Sequence, residues 1–180
     1  MDMVIRGIYI GRFQPFHRGH LYAIKEVLKE VDELIIGVGS AQESHTLENP
    51  FTAGERILMI RSALIEDGVD LCRVYIVPIP DIAMNHVWVK YVSMLVPPFN
   101  IAYSNNPLVM RLFKEAGYDV KPIPLYDRKR FSGKKIRELM LKGGSWEELV
   151  PKSVAKIINE IDGVSRIREI AKSDEEVEDT

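Results

Sequence analysis

Cysteine is almost absent from this chain: Cys72 is the only one among 180 residues. A single thiol excludes an intrachain disulfide and any zinc site built from several cysteines. No thiolate-stabilising motif surrounds Leu71-Cys72-Arg73, so Cys72 reads as filler. Long hydrophobic runs are missing too. No segment approaches the roughly 20 apolar residues needed to span a bilayer, and the N-terminus carries no signal-peptide h-region. The sequence therefore points to a cytoplasmic protein with no membrane partner. A surplus of one charge is also lacking: 24 basic and 26 acidic side chains give a net −2, which does not point to a dedicated nucleic-acid binder. There are no internal repeats and no linker.

The charge that is present is unevenly placed. Residues 173–180 hold five acids and no base, and without them 24 basic side chains face 21 acidic ones, a net of +3. A mildly basic body suits phosphate-rich small substrates. The boundary falls at 172, giving one domain over 1–172 and an acidic tail over 173–180 that composition reads as disordered.

Strand and helix patterns alternate along that domain. Val4–Ile10, Leu34–Val38, Val74–Pro78, Asn100–Ser104 and Tyr118–Pro122 are the expected strands. Helices are expected from Leu21, after the Thr52/Glu55 capping box, over His86–Leu95 and Pro107–Ala116, and from the Ser132 cap to Leu141. Three more, Ser145–Leu149, Pro151–Ile161 and Val164–Ala171, close the chain. This is an α/β chain: a Rossmann-like, doubly wound parallel sheet of about five strands with a helical C-terminal segment.

The most informative stretch is Gly11-Arg12-Phe13-Gln14-Pro15-Phe16-His17-Arg18-Gly19-His20, between the first strand and the first helix. Two histidines three apart at a helix start share one face, beside backbone N–H groups with no partner in the helix. Such an end favours anions, and Arg12 and Arg18 add positive charge to the turn. A phosphate site at the carboxyl end of strand one is the inference. Gly11 either ends the strand or admits a nucleotide closely.

His17-Arg18-Gly19-His20 resembles the His-x-Gly-His signature of the nucleotidyltransferase superfamily, and Ser132-Gly133-Lys134-Lys135-Ile136-Arg137 resembles its late Ser-x-x-x-x-Arg segment. The wider phrases, Gly11 to His17 and Pro50 to Arg56, are similar to those of archaeal nicotinamide-mononucleotide adenylyltransferases. The likeness runs from about Arg6 to Ala171. It implies adenylyl transfer from ATP to nicotinamide mononucleotide, giving NAD and pyrophosphate. It further implies catalytic roles for His17, His20, Arg137 and Arg12, and ATP contacts from Gly11, Arg12, Phe13, His17, His20, Ser132, Gly133 and Arg137. The mononucleotide would meet Ser40, Asp81, Ile82, Asn85 and Trp88. Mg2+ would be held by substrate phosphates and water, with no protein metal site. A homo-oligomer, as large as a hexamer, is implied as well.

That chemistry needs no general base, because a phosphate monoester with a second pKa of ~6 is mostly dianionic near neutrality. Alignment and charge stabilisation suffice, and no carboxylate pair is evident. Trp88 can stack on a pyridinium ring and Asn85 can pair with its carboxamide. Equally, Trp88 can anchor the core and Asn85 cap a helix. Arg56 reads either as exposed or as reaching inward to a subunit contact. Glu48 stands where some relatives carry a basic residue, so it is left out of the site. Another phosphate-ester acceptor such as phosphopantetheine or flavin mononucleotide, CTP as donor, or a non-catalytic nucleotide-binding regulator are the competing readings.

Overall fold

The computed structural model describes residues 3–178, with side chains through 172. Five strands, β1 (Arg6–Gly11), β2 (Glu33–Val38), β3 (Val74–Pro78), β4 (Ile101–Tyr103) and β5 (Asp119–Lys121), form one sheet in the order β3-β2-β1-β4-β5. Every pairing is parallel, with Tyr9 opposite Ile36 on one side and Tyr103 on the other. The α/β expectation holds. The chain order reverses between β1 and β4, which opens a crevice at the carboxyl ends of those two strands.

Alternation along the strands builds two cores. Leu34, Ile36 and Val38 point to one face of β2 and Ile35 to the other. On the first face lie α1 (Arg18–Val27), α2 (Ala53–Glu66), α5 (Gly133–Lys142), α6 (Lys152–Glu160) and α7 (Gly163–Glu178). On the second lie α3 (Asn85–Leu95) and α4 (Pro107–Glu115), packed through Val89, Val92 and Phe113.

Helix starts follow local capping chemistry. Thr52 Oγ1 accepts the Glu55 N–H and the Glu55 carboxylate accepts the Thr52 N–H, as the capping box required. The same carboxylate is gripped by both Nη atoms of Arg166 at 2.8 Å, tying α7 to the start of α2. Two expectations change. Ser145–Leu149 is a single 3₁₀ turn over Glu147–Leu149, since the Pro151 ring cannot continue an α-helix. The backbone of α7 also runs to Glu178, beyond the boundary placed at 172; Asp179 and Thr180 lie outside the described residues.

Candidate active site

α1 opens with an unusual cap: His17 occupies a position where Ser, Thr, Asp or Asn is the rule. Its Nδ1 accepts the His20 N–H at 3.3 Å, and His20 Nδ1 accepts the His17 N–H at 3.2 Å. The pair is a reciprocal capping box in which both side chains are imidazoles. Their rings stack with centroids 3.5 Å apart. A backbone nitrogen can only donate, so each Nδ1 must be unprotonated and each neutral ring carries its proton on Nε2. Two Nε2–H donors are thereby set without any acidic partner.

Burial keeps both rings uncharged. It pushes the His17 pKa down to about 4, and burial together with the neighbouring His17 holds His20 well below the ordinary value of 6.5. At neutral pH they act as neutral donors. A stability effect follows with a defined sign. Between pH 6.5 and about 4 the unfolded chain binds a proton at His17 that the folded chain refuses, so stability falls as pH falls through that window. The expected loss from His17 alone is about 3 kcal/mol at its full extent. Urea titrations at pH 7 and pH 4.5 should show it, and His17→Gln should reduce the difference. An unchanged difference would mean that other groups govern the acid limb.

Both histidines line a cavity of about 310 Å³ at the switch point. Its far wall comes from Ser104, Asn105 and Asn106 after β4, and from Ile123 to Tyr126 after β5. Asn105 joins these two loops, donating Nδ2–H to the Ile123 carbonyl at 2.9 Å and accepting the Ile123 N–H at 3.1 Å. Phe131 and Tyr126 stack at 5.5 Å along the rim, and Ser132 and Gly133 complete it. This second wall was missed in the sequence. The signal available was the polar run Ser104-Asn105-Asn106 directly after an apolar strand.

Ser132 caps α5 through the Lys135 N–H, as expected. Gly133 is required by close packing: a Cβ there would lie 3.0 Å from the Gln14 carbonyl oxygen and 3.1 Å from Arg137 Nη1. Arg137 does not float in solvent. Its Nε donates to the Leu47 carbonyl at 3.0 Å and its Nη1 to the Gln14 carbonyl at 2.8 Å, which clamps the β1–α1 loop against the 41–50 loop. Burial lowers its pKa, with the nearby Arg12 adding to the effect. Arg12 is exposed and sits 3.7 Å from Glu48, so Glu48 meets the positive group of this loop.

Other expected residues take different places. Gly11 makes room for the Phe13 ring, which a Cβ would approach to 2.9 Å. Phe13 itself is buried and stands edge-on under His20 at 4.8 Å, so its ring supports the histidine. Arg18 turns away from the histidines, its Nε donating to the Glu148 carbonyl. Ser40 and Asp81 lie on neighbouring loops joined by Gln42, which exchanges two hydrogen bonds with Asp81. Ile82 follows in the same loop. Asn85 lines a separate cleft of about 250 Å³ between α3 and α4. Trp88 is half-buried, edge-on to Phe113 at 5.5 Å. Among the described residues no contact joins Asn85 or Trp88 to the histidine pair.

The second surprise is Arg56, fully buried beneath the site. It is neither exposed nor turned to a subunit contact: it reaches inward to four backbone carbonyls, those of Thr52, Arg12, Gly39 and Ser40. Capping and periodicity placed the helix but gave no hint of a buried cation, because three of its four partners are backbone oxygens of loops 16 to 44 residues away.

A cleft at the switch point, two neutral imidazole donors and a helix N-terminus aimed at it define a nucleotide-handling transferase of the α/β class. The chain belongs to the cytidylyltransferase-like family, which matches residues 8–139. It is 55% identical over 174 residues to the nicotinamide-nucleotide adenylyltransferase of Archaeoglobus fulgidus, covering 94% of this chain and 99% of that one. The Saccharolobus solfataricus protein of the same name is 56% identical over 169 residues, covering 94% and 98%. Among solved structures, the bifunctional NMN adenylyltransferase/ADP ribose pyrophosphatase of Francisella tularensis, complexed with AMP and a manganese ion, superposes with a TM-score of 0.77 at 26% identity. That match covers 98% of this chain, which spans about half (54%) of the Francisella protein.

Proposed function

We propose that this enzyme transfers the adenylyl group of ATP to nicotinamide mononucleotide, forming NAD and pyrophosphate. The observation that carries the reading is the reciprocal His17–His20 cap at the switch-point cavity. A mononucleotide phosphate oxygen attacks the α-phosphorus; a new P–O bond forms as the bond to the β-phosphate oxygen breaks, and pyrophosphate leaves with its electron pair. No proton need move, since the nucleophile is already ionised. What the site must supply is donors aimed at the phosphate oxygens as charge shifts toward the leaving group. The Nε2–H groups of His17 and His20, the start of α1, and the guanidinium groups of Arg12 and Arg137 fit that task. Ser132 and Gly133 bring the start of α5 to the same rim. The wall from Ser104 to Tyr126 suits a flat base.

No group of three or more His, Cys, Asp or Glu side chains stands together among the described residues. The donor set around the cavity is of N–H groups, which suit anions and do not ligate cations. A divalent ion, Mg2+ in this reading, therefore enters on the triphosphate oxygens as part of the nucleotide. Among the described residues no helix is long and apolar enough to cross a membrane. The exposed Val87 and Met94 on α3, with Met84 just before it, support assembly with a second copy of this chain. A monomeric mass by light scattering would remove that assembly.

The acceptor is tested by pyrophosphate release with ATP and a panel of phosphate esters, with CTP as the alternative donor. Nicotinamide mononucleotide should be the preferred acceptor; turnover with phosphopantetheine or flavin mononucleotide instead, or none at all, would overturn the reading. Trp88 provides a second arm. Stacking on a base-like ring contributes ~1–3 kcal/mol, so Trp88→Ala should weaken the mononucleotide about ten- to hundredfold and ATP far less. Equal losses would return Trp88 to packing on Phe113.

A further inference from the structure

Among the described residues Arg56 is the one fully buried cation, its partners are all backbone carbonyls, and the chemistry above makes no use of it. Its Nη1 holds the Arg12 carbonyl at 2.8 Å and the Gly39 carbonyl at 2.7 Å, so one nitrogen gathers the loops that leave β1 and β2. Its Nη2 holds the Ser40 carbonyl at 3.0 Å. No carboxylate pairs with it among the described residues. Burial pulls its pKa down to about 10, which still leaves it charged at neutral pH.

The consequence lies on the far side of those peptides. In a trans peptide the N–H points opposite to the C=O. With the Arg12 and Gly39 carbonyls drawn down onto Arg56, the N–H groups of Phe13 and Ser40 face away from it. Neither N–H has an acceptor among the described residues, whereas the next one, Ala41, donates to the Ile79 carbonyl. Phe13 and Ser40 are also two of the five non-glycine residues with positive φ among the described residues, at 52° and 46°; His45, further along the loop that leaves β2, is another. Such conformations cost about 1–3 kcal/mol each in non-glycine residues and persist only where surrounding structure enforces them. Paired, outward N–H groups on turned backbone make an anion-binding concavity.

We infer that Arg56 is a positioning residue that holds the Phe13 and Ser40 N–H groups as a two-donor seat for a phosphate oxyanion at the ends of β1 and β2. The inference rests on the adenylyl-transfer reading for the identity of the phosphate. That oxyanion belongs either to the mononucleotide or to the triphosphate. Arg56 touches neither; it works through the two peptides and adds a fixed positive charge behind them. Lysine cannot replace it, because one ammonium on a flexible stem does not span carbonyls from both loops in a planar fork.

The test compares phosphorylated ligands with their bare nucleosides. Affinities of nicotinamide mononucleotide, nicotinamide riboside, ATP and adenosine are measured by calorimetry on the full chain and on Arg56→Lys. Loss of charge-assisted donors should weaken one phosphorylated ligand about ten- to hundredfold while its nucleoside changes less than about twofold. Whichever nucleotide loses affinity names the source of the phosphate. Equal loss by nucleotide and nucleoside would make Arg56 a structural residue, and no loss by either would remove the seat. If Arg56→Lys does not fold, amide shifts of 15N-labelled Phe13 and Ser40 in the unaltered protein decide the matter. Both should move with inorganic phosphate and with the nucleotide but not with the riboside; unmoved amides overturn the inference. Because the inorganic-phosphate arm needs no particular acceptor, failure of the seat and failure of the acceptor assignment remain separable.

Discussion

Replacing His20 by alanine is expected to lower turnover about a hundred- to a thousandfold with the fold retained, the range seen when one preorganised donor to a developing charge is removed. The substitution also deletes half of the imidazole capping box. The His17 N–H loses its acceptor and the His17 ring loses its stacked neighbour. A cap is worth ~1 kcal/mol, far too little to unfold the chain but enough to loosen His17. The measurement is single-turnover formation of the dinucleotide at saturating ATP, alongside circular dichroism and a thermal melt. Near-native turnover in a folded variant would reduce His20 to a capping residue. A profile flat in pH from 6 to 8 is expected of the unaltered enzyme so far as these two rings govern it, since both are already neutral there.

Arg137→Lys should cut kcat/KM about ten- to hundredfold although the charge is kept. Arginine places two nitrogens of a rigid fork on the Leu47 and Gln14 carbonyls, from loops on opposite sides of the site. That leaves Nη2 uncommitted among the described residues, available to a phosphate oxygen. A lysine can satisfy one carbonyl or one phosphate oxygen, not the set. The loops should then move apart, and the Gly133 turn, closely packed against the Arg137 guanidinium, should lose its support. Steady-state kinetics with both substrates varied will report it. Unaltered constants would show that Arg137 supplies only generic charge.

These expectations arise at different depths. The Thr52 and Ser132 caps, the strand alternation of β2 and the shared face of His17 and His20 all depend on residues within about one helical turn of each other. Such relations survive in the sequence because the interacting groups are covalently close. The family phrases carried the catalytic pair and the late arginine for the same reason: each is a local stretch whose spacing is preserved whatever the rest of the chain does.

Other features need contacts across the fold. The wall from Ser104 to Tyr126 exists because β4 pairs with β1 and not with β3, a choice made by the whole sheet. The lowered pKa values of the histidines come from burial, which a count of residue types does not register. Arg56 is the clearest case. Its sequence neighbours describe an ordinary amphipathic helix, yet its two Nη atoms close on carbonyls 16 to 44 residues distant. Local patterning thus determined the strands, the caps, the parallel class and the anion-ready start of α1. Tertiary structure alone decided the second wall, the protonation of the imidazoles and the arginine beneath them. Burial and backbone partnership are properties of the packed chain, and no spacing along it encodes them.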